Sequence, residues 1–547
     1  MPGAPLLPTD IVALEGRWRE HRRLRRRRDI VWLALFLLAF AAALQVGEVR
    51  LSTLITNLPS FTDYFVQATP ELHFKTLGPD LAAWYWDAGH WALSLLDTVM
   101  MAIVATALGV AGGVTISMFA ARNLAPNRGA YVVARRLSDL LRAIPELVSA
   151  TVLVFAFGIG PFAGVMALAL HSVGSLAKLF AEVAENSAAG PMEGVRASGG
   201  NWLQVIRYGL LPQVLPNWTS YALLRFEINV RSATILGFVG AGGIGQDLMF
   251  ATREFLYTDV SAIVLMIIAT VMLLDLGSER LRHGLMSGDG LGGRHLGRAA
   301  RFLWGGGFCI LGALLWHFGF FNPAMLGRGL ARFGGILGFM LPPRGFDEMG
   351  QLLGAVGQTL GMALAGSVLA NIFALPLGVL AARNVVGVPA VHFLVRRFLD
   401  VLRGVDVLIW ALIFISVVGL GPFAGILAIM VNDTGALAKL YGEAIEAVDY
   451  APAETVAAAG GGKLLALRYG VMPQVLPVIL SNAIYFFESN TRSATVLGVV
   501  GAGGIGLALF DRIRVDDWHS ASLVVLLIVL TVMLIDALTG VARRRLM

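Results

Sequence analysis

The sequence predicts an all-α polytopic membrane protein made of two tandem, parallel six-helix repeats, about 12 transmembrane helices in all. Three observations carry that prediction. The 547 residues are 57% hydrophobic and only 14% charged, with a mean hydropathy of +0.73, whereas a soluble domain holds about 25% charged residues. The sequence repeats itself at a shift of 261 residues, aligning Gly160-Pro161-Phe162-Ala163-Gly164 with Gly421-Pro422-Phe423-Ala424-Gly425. Arginines concentrate in segments that fall on one side of the apolar runs. Disorder, a disulfide scaffold and an ordinary cytosolic enzyme are excluded, and the lone Cys309 offers no metal cluster.

The formal charge of +6 is local, because residues 17–28 hold eight Arg and one Glu. Beside an apolar run, such a cluster reads as an anchor at anionic lipid rather than a nucleic-acid site. Residues 1–29 form this basic cytoplasmic segment, and the first helix follows near 30–47. A signal peptide is the alternative. A second run of the same kind, Phe302 to Phe321 after Arg294, Arg298 and Arg301, argues for a retained helix.

Further helices are expected near 93–120, 137–157, 162–180, 212–238 and 258–277, and in the second copy near 353–381, 398–418, 423–441, 473–499 and 519–538. Between 207–249 and 468–510, 27 of 43 positions are identical. Before Thr98 the register fails, so 48–90 and 322–350 are expected to be loops. The repeats occupy 30–285 and 301–547, with a Gly/Arg linker at 286–300. Six spans per copy return the chain to its starting side. The copies are therefore parallel, about an axis along the membrane normal, and both termini are expected in the cytoplasm.

Between the fourth and fifth helices of each copy stands a fixed pattern. It reads Glu193-Gly194-Val195-Arg196-Ala197-Ser198-Gly199 and then Leu211-Pro212, and again Glu454 to Gly460 and then Met472-Pro473. This resembles the EAA loop of ABC-importer permeases, with Gly194, Thr455 and Met472 as mild departures. The segments RSATILGFVGAGGIG (231–245) and RSATVLGVVGAGGIG (492–506), with GPFAG and residues 171–182, are similar to phosphonate ABC-importer permeases over about residues 93–280 and 354–540. The resemblance implies a type I importer permease fold with both halves fused, in the cell inner membrane. It implies transport of phosphonate, phosphate or phosphite, and coupling through Glu193, Gly199, Leu211, Pro212, Glu454, Gly460, Met472 and Pro473. The implied partners are a homodimeric cytoplasmic ATPase and an extracytoplasmic phosphonate-binding protein. ATP and Mg would be bound by that ATPase, since this chain lacks G-x-x-x-x-G-K-[ST].

On the fifth helices, Glu227, Asn229, Arg231, Ser232 and Thr234, with Glu488, Asn490, Arg492, Ser493 and Thr495, are candidate path residues, because charges within a span face the bundle or a watery cavity. Glu227–Arg231 and Glu488–Arg492 stand i, i+4 and equally suit self-contained structural pairs. Asp139–Arg142 and Asp400–Arg403 read as structural pairs, and His171 as a packed polar residue. Gly240, Gly242, Gly243 and Gly245, with Gly501, Gly503, Gly504 and Gly506, read as a flexible gate turn rather than a dinucleotide loop. They would let the copies pack closely across the axis or let backbone amides face an anion. No metal site and no catalytic group is expected. A six-plus-six secondary transporter, or a permease for another solute such as methionine, are the alternatives.

Overall fold

The computed structural model describes residues 8–286 and 296–546, and all regular structure within them is helical. The first copy holds α1 (Pro8–Val46), α2 (Leu51–Thr56), α3 (Leu58–Ala68), α4 (Leu77–Trp84), α5 (Ala88–Ala120), α6 (Arg128–Ala143), α7 (Glu146–Phe157), α8 (Pro161–Glu185), α9 (Ala189–Ala197), α10 (Trp202–Gln204), α11 (Leu211–Leu236), α12 (Ile244–Arg253) and α13 (Tyr257–Met286). The second holds α14 (Leu296–His317), α15 (Pro323–Met340), α16 (Met349–Ala381), α17 (Pro389–Gly404), α18 (Val407–Val418), α19 (Pro422–Glu446), α20 (Ala451–Ala458), α21 (Lys463–Ala466), α22 (Met472–Leu497), α23 (Gly504–Arg514) and α24 (Trp518–Leu546). Residues 287–295 of the expected linker lie outside the described residues.

Eight described helices are long and apolar enough to cross a bilayer, and three bent pairs bring the total to 11. The run expected at 302–321 lies in α14, and Gly306–His317 is its apolar stretch among the fully described residues. The basic segment is not separate from the first span, since α1 runs unbroken from one into the other.

The third span of each copy is not one helix. It bends by 84° between α6 and α7 and by 86° between α17 and α18. Pro145 removes an N–H and pushes Ile144 into extended backbone (φ −78°, ψ 120°), which ends α6. In the second copy Asp406 caps α18 by accepting the Leu408 N–H at 2.9 Å, while Val405 is extended.

Hydrogen bonds fix which helix ends lie together. At one end, the Gly160 N–H donates to the Gly240 carbonyl at 3.0 Å, and the Ile244 N–H to Thr98 Oγ1 at 2.9 Å. At the other, Asn123 Nδ2 donates to the Ala184 carbonyl at 2.7 Å, and Trp202 Nε1 to Leu124 at 2.9 Å. The bent pair therefore carries the chain from end to end despite its angle. Val239 of one copy and Val496 and Val499 of the other pack on a single apolar cluster, so the glycine-turn ends of both copies face the same side and the repeats are parallel.

The expected loops at 48–90 and 322–350 are largely helical. Apolar side chains at helical spacing explain this: Phe61 and Tyr64 of α3 pack on the core, and Gly329 of α15 lies against the Phe157 ring. The leading helices cross over. Gly47, just past α1, abuts Ile426 of the second copy, whereas Phe318, just past α14, is buried with Met101 and Ala105 of the first.

Candidate functional site

At the end opposite the glycine turns, α9 and α20 project as short helices. Each is seated by one buried residue, Met192 or Ala453, while Glu193 and Glu454 are exposed. Gly199 and Gly460 stop these helices in the left-handed region at φ +83° and +86°, where an L side chain is strained. Their N–H groups donate to the Arg196 and Ala457 carbonyls at 3.0 Å each. A π turn follows in each copy, Val205–Leu210 and Leu467–Val471. Leu211-Pro212 and Met472-Pro473 then open α11 and α22, and a proline lacking its N–H sits readily where the helical register changes.

Four further residues hold these elbows and escaped the sequence reading. A Cβ on Gly209 would lie 2.9 Å from the Met192 Cα, and one on Gly470 2.5 Å from the Ala453 Cα. Only glycine lets each short helix sit so close. Gln213 Nε2 donates to the Gly209 carbonyl at 2.6 Å and Gln474 Nε2 to Gly470 at 2.7 Å. Their recurrence at the 261-residue shift was the available signal.

The charged candidates form a network across the copies, which corrects the i, i+4 reading. Arg231 Nη2 donates to Asp275 at 3.0 and 3.2 Å, and Glu227 accepts from Arg282 at 2.9 Å. Likewise Arg492 pairs with Asp536 at 3.1 Å, its own Glu488 lies farther at 3.8 Å, and Glu488 accepts from Arg543 and Thr539. The last helix of each copy approaches the fifth closely enough to outcompete the neighbouring turn. Asp536 also accepts from Arg142 of the first copy at 2.8 Å, and Asp275 lies 3.7 Å from Arg403 of the second. Arg142 thus turns from Asp139 to the other copy, while Arg403 keeps Asp400 at 3.4 Å. Arg142 Nε and Arg231 Nε are buried with no partner among the described residues.

Asn229 and Asn490 lie inside single copies. Asn229 Nδ2 donates to Thr106 at 2.9 Å, and Asn490 Nδ2 to Ser367 at 2.8 Å. Thr234 and Thr495 bond back to the Val230 and Thr491 carbonyls, and Ser493 to Ser489 at 3.5 Å. Ser232 lies against Glu146. Around that carboxylate the first copy buries a second charged cluster. Arg225 Nη2 donates to Glu146 at 2.6 Å, Arg225 Nε to Ser172 at 3.0 Å, and His171 packs 3.5 Å from Glu146. The equivalent residues Val407, Phe486, Asn432 and Asp433 hold no cation; there Asp433 accepts from Asn432 and Asn490.

The glycine turns are tied rather than flexible, and they pack within a copy rather than across the axis. Gly240, Gly242 and Gly243 lie against Ile159, Pro161 and Thr98, and Gly501, Gly503 and Gly504 against Leu420, Pro422 and Thr359. The Ile244 and Ile505 N–H groups are taken by Thr98 and Thr359 at 2.9 Å each, and the Gly504 N–H by Gln358, leaving these amides engaged. A Cβ on Gly245 or Gly506 would lie 1.7 or 1.8 Å from the Thr234 or Thr495 carbonyl oxygen. The turn joins helix to helix, so no βαβ unit supports a dinucleotide site here.

The family model described as binding-protein-dependent transport system inner membrane component matches residues 113–284 and again 374–547. The chain is 37% identical to the phosphate-import permease protein PhnE of Mycolicibacterium smegmatis over 458 residues, covering 82% of this chain and 85% of that one. It is 38% identical to the phosphite transport system permease protein PtxC of Stutzerimonas stutzeri over 50% of this chain and 97% of the relative. Over 117 residues it is 53% identical to a putative cryptic phosphonate transport system permease protein of Escherichia coli, covering 21% of this chain and 96% of that one.

Proposed function

This chain belongs to the family of binding-protein-dependent transport system inner membrane components, and from that premise we propose that it carries phosphorus oxyanions (phosphate, phosphite or phosphonate) through the membrane in response to a separate ATPase. Membership displaces the secondary-transporter alternative. The observation that carries the reading is the pair of exposed elbows, α9 and α20, at repeat-related positions on one end of the molecule. Relatives named for phosphate, phosphite and phosphonate transport support the substrate class.

In this reading the elbow end is cytoplasmic, with both termini. A homodimeric ATPase, holding ATP and Mg, grips both elbows through Glu193 and Glu454, and an extracytoplasmic binding protein delivers the oxyanion at the glycine-turn end. Closing the ATPase dimer moves the elbows together, and the Pro212 and Pro473 junctions pass that movement to α11 and α22. These helices carry Arg231 and Arg492, so the movement alternates access to the space between the copies. The unpartnered Arg231 Nε–H offers a donor to a passing oxyanion. Glu193→Ala with Glu454→Ala should abolish co-purification of the ATPase and labelled phosphate uptake, leaving the unfolding temperature unchanged. Undiminished uptake and co-purification would overturn the coupling role.

A further inference from the structure

At the glycine-turn end, α15, the end of α7 and the turn before α24 enclose an open groove of about 520 Å³. Its apolar wall is Phe155, Ile336 and Trp518, and its rim carries Arg332, Asp516 and His519. Trp518 opens a membrane-spanning helix and meets Phe155 edge-on at 5.2 Å, so the groove sits at the bilayer boundary, where aromatic residues collect.

The other copy shows what such a seat needs. Tyr257, the repeat partner of Trp518, is covered by Tyr64 of α3 at 5.3 Å between ring centroids. In the groove, α15 instead presents Gly335, with no protein atom within 4 Å of where a Cβ would stand. Tyr257 is covered by a ring from α3, whereas Trp518 is buried by Phe155 and its neighbours, and the open space of the groove lies over Gly335 of α15.

The rim charges are unspent. The Arg332 guanidinium and the Asp516 carboxylate make no ion pair or side-chain hydrogen bond with any described residue, although both line the groove. Asp517 beside them is engaged by the Ser520 N–H at 3.1 Å. A ligand that answers both charges and the apolar wall is a zwitterion carrying acyl chains. We propose that this groove seats one phospholipid with a phosphoethanolamine headgroup, its phosphate on Arg332, its ammonium on Asp516, and its chains along Phe155, Ile336 and Trp518. A phosphoglycerol headgroup brings no cation to Asp516, and a quaternary choline has no N–H to donate to it.

The test is native mass spectrometry of the purified full-length chain equilibrated with vesicles of equal phosphatidylethanolamine, phosphatidylcholine and phosphatidylglycerol. One phosphatidylethanolamine should be retained with about tenfold preference over the other two, the discrimination expected of one ammonium–carboxylate contact, since all three lipids bring a phosphate to Arg332. Arg332→Gln with Asp516→Asn should bring the three lipids to parity. Gly335→Leu, which fills the open space over α15, should expel the lipid with the rim intact. Equal retention of all three lipids by the natural chain overturns the proposal, as does preference that survives both variants. Full displacement by soluble phosphoethanolamine at equal concentration also overturns it, since the apolar wall would then contribute nothing.

Discussion

The two bent spans reach almost the same angle, 84° and 86°, by different chemistry. In the first copy Pro145 interrupts the backbone ladder, while in the second Asp406 starts a new helix by capping it. The buried polar clusters diverge in the same way. Glu146, Arg225 and His171 place charge within the first copy, and Asp433, Asn432 and Asn490 replace it with a carboxyl and two amides in the second. What the copies share is the ion pair between the fifth helix and the last, where Arg231–Asp275 recurs as Arg492–Asp536. The repeat preserves geometry and the contacts that tie the fifth helix, the elbow and the glycine turn within each copy, while the chemistry of the bend, the buried cluster around Glu146 and the contacts between copies diverge.

That comparison breaks most sharply at the shared carboxylates. Asp536 holds Arg492 at 3.1 Å and Arg142 at 2.8 Å, whereas the second contact of Asp275, to Arg403, is 3.7 Å. Asp536→Asn should cost about 3 kcal/mol by leaving two mostly buried cations with only Glu488, 3.8 Å from each. Asp275→Asn should cost less, and chemical unfolding in detergent gives the order directly. Next, Gly245→Ala and Gly506→Ala should destabilise equally, by about 3 kcal/mol or more, since each added Cβ meets a fixed carbonyl. Unequal losses there would show that the turns are not equivalent.

The bends separate the copies by a smaller amount. Asp406→Ala should cost about 1 kcal/mol through the lost cap, while Pro145→Ala should cost little, and neither should restore a straight span. The smallest difference is one of pH. The Ser520 hydroxyl holds Asp517 below the usual carboxylate range against the opposing effect of burial, helped by the Ser520 N–H and the Arg512 charge. A carboxyl depressed on folding contributes stability above its unfolded pKa of about 3.9 and loses it as pH falls through the folded value. Protection of the amides at the start of α24 against hydrogen exchange, taken relative to the intrinsic rate at each pH, should therefore fall in acid, and Asp517→Asn should remove that dependence. The start of α13, where Leu256 occupies the equivalent position, should show no such loss.

Much of this architecture was legible in the residues. Apolar runs, arginine placement and the 261-residue repeat give the spans and their common direction, because bilayer thickness and charge cost act on sequence directly. The elbows were legible through Glu193, Gly199 and their copies. Partner choice was not. At i, i+4 spacing Glu227 and Arg231 look self-sufficient, and only the packing of α13 and α24 shows that Asp275 and Asp536 claim the arginines. The capping helices α3 and α15 were hidden because their sequences are unrelated, although they occupy comparable places. Nor did Pro145 and Asp406 announce a shared bend, being unlike residues with one structural effect.

The account rests on two equivalent elbows meeting one ATPase, and crosslinking tests it most directly. With Cys309→Ser as background, Ala197→Cys and Ala458→Cys variants of the assembled transporter, exposed at repeat-related positions of the elbows, would be treated separately with a short reagent that joins a thiol to an amine. The account predicts that each site crosslinks to the ATPase with similar yield and that uptake is blocked in both. Crosslinking at one site alone, or at neither, would contradict it.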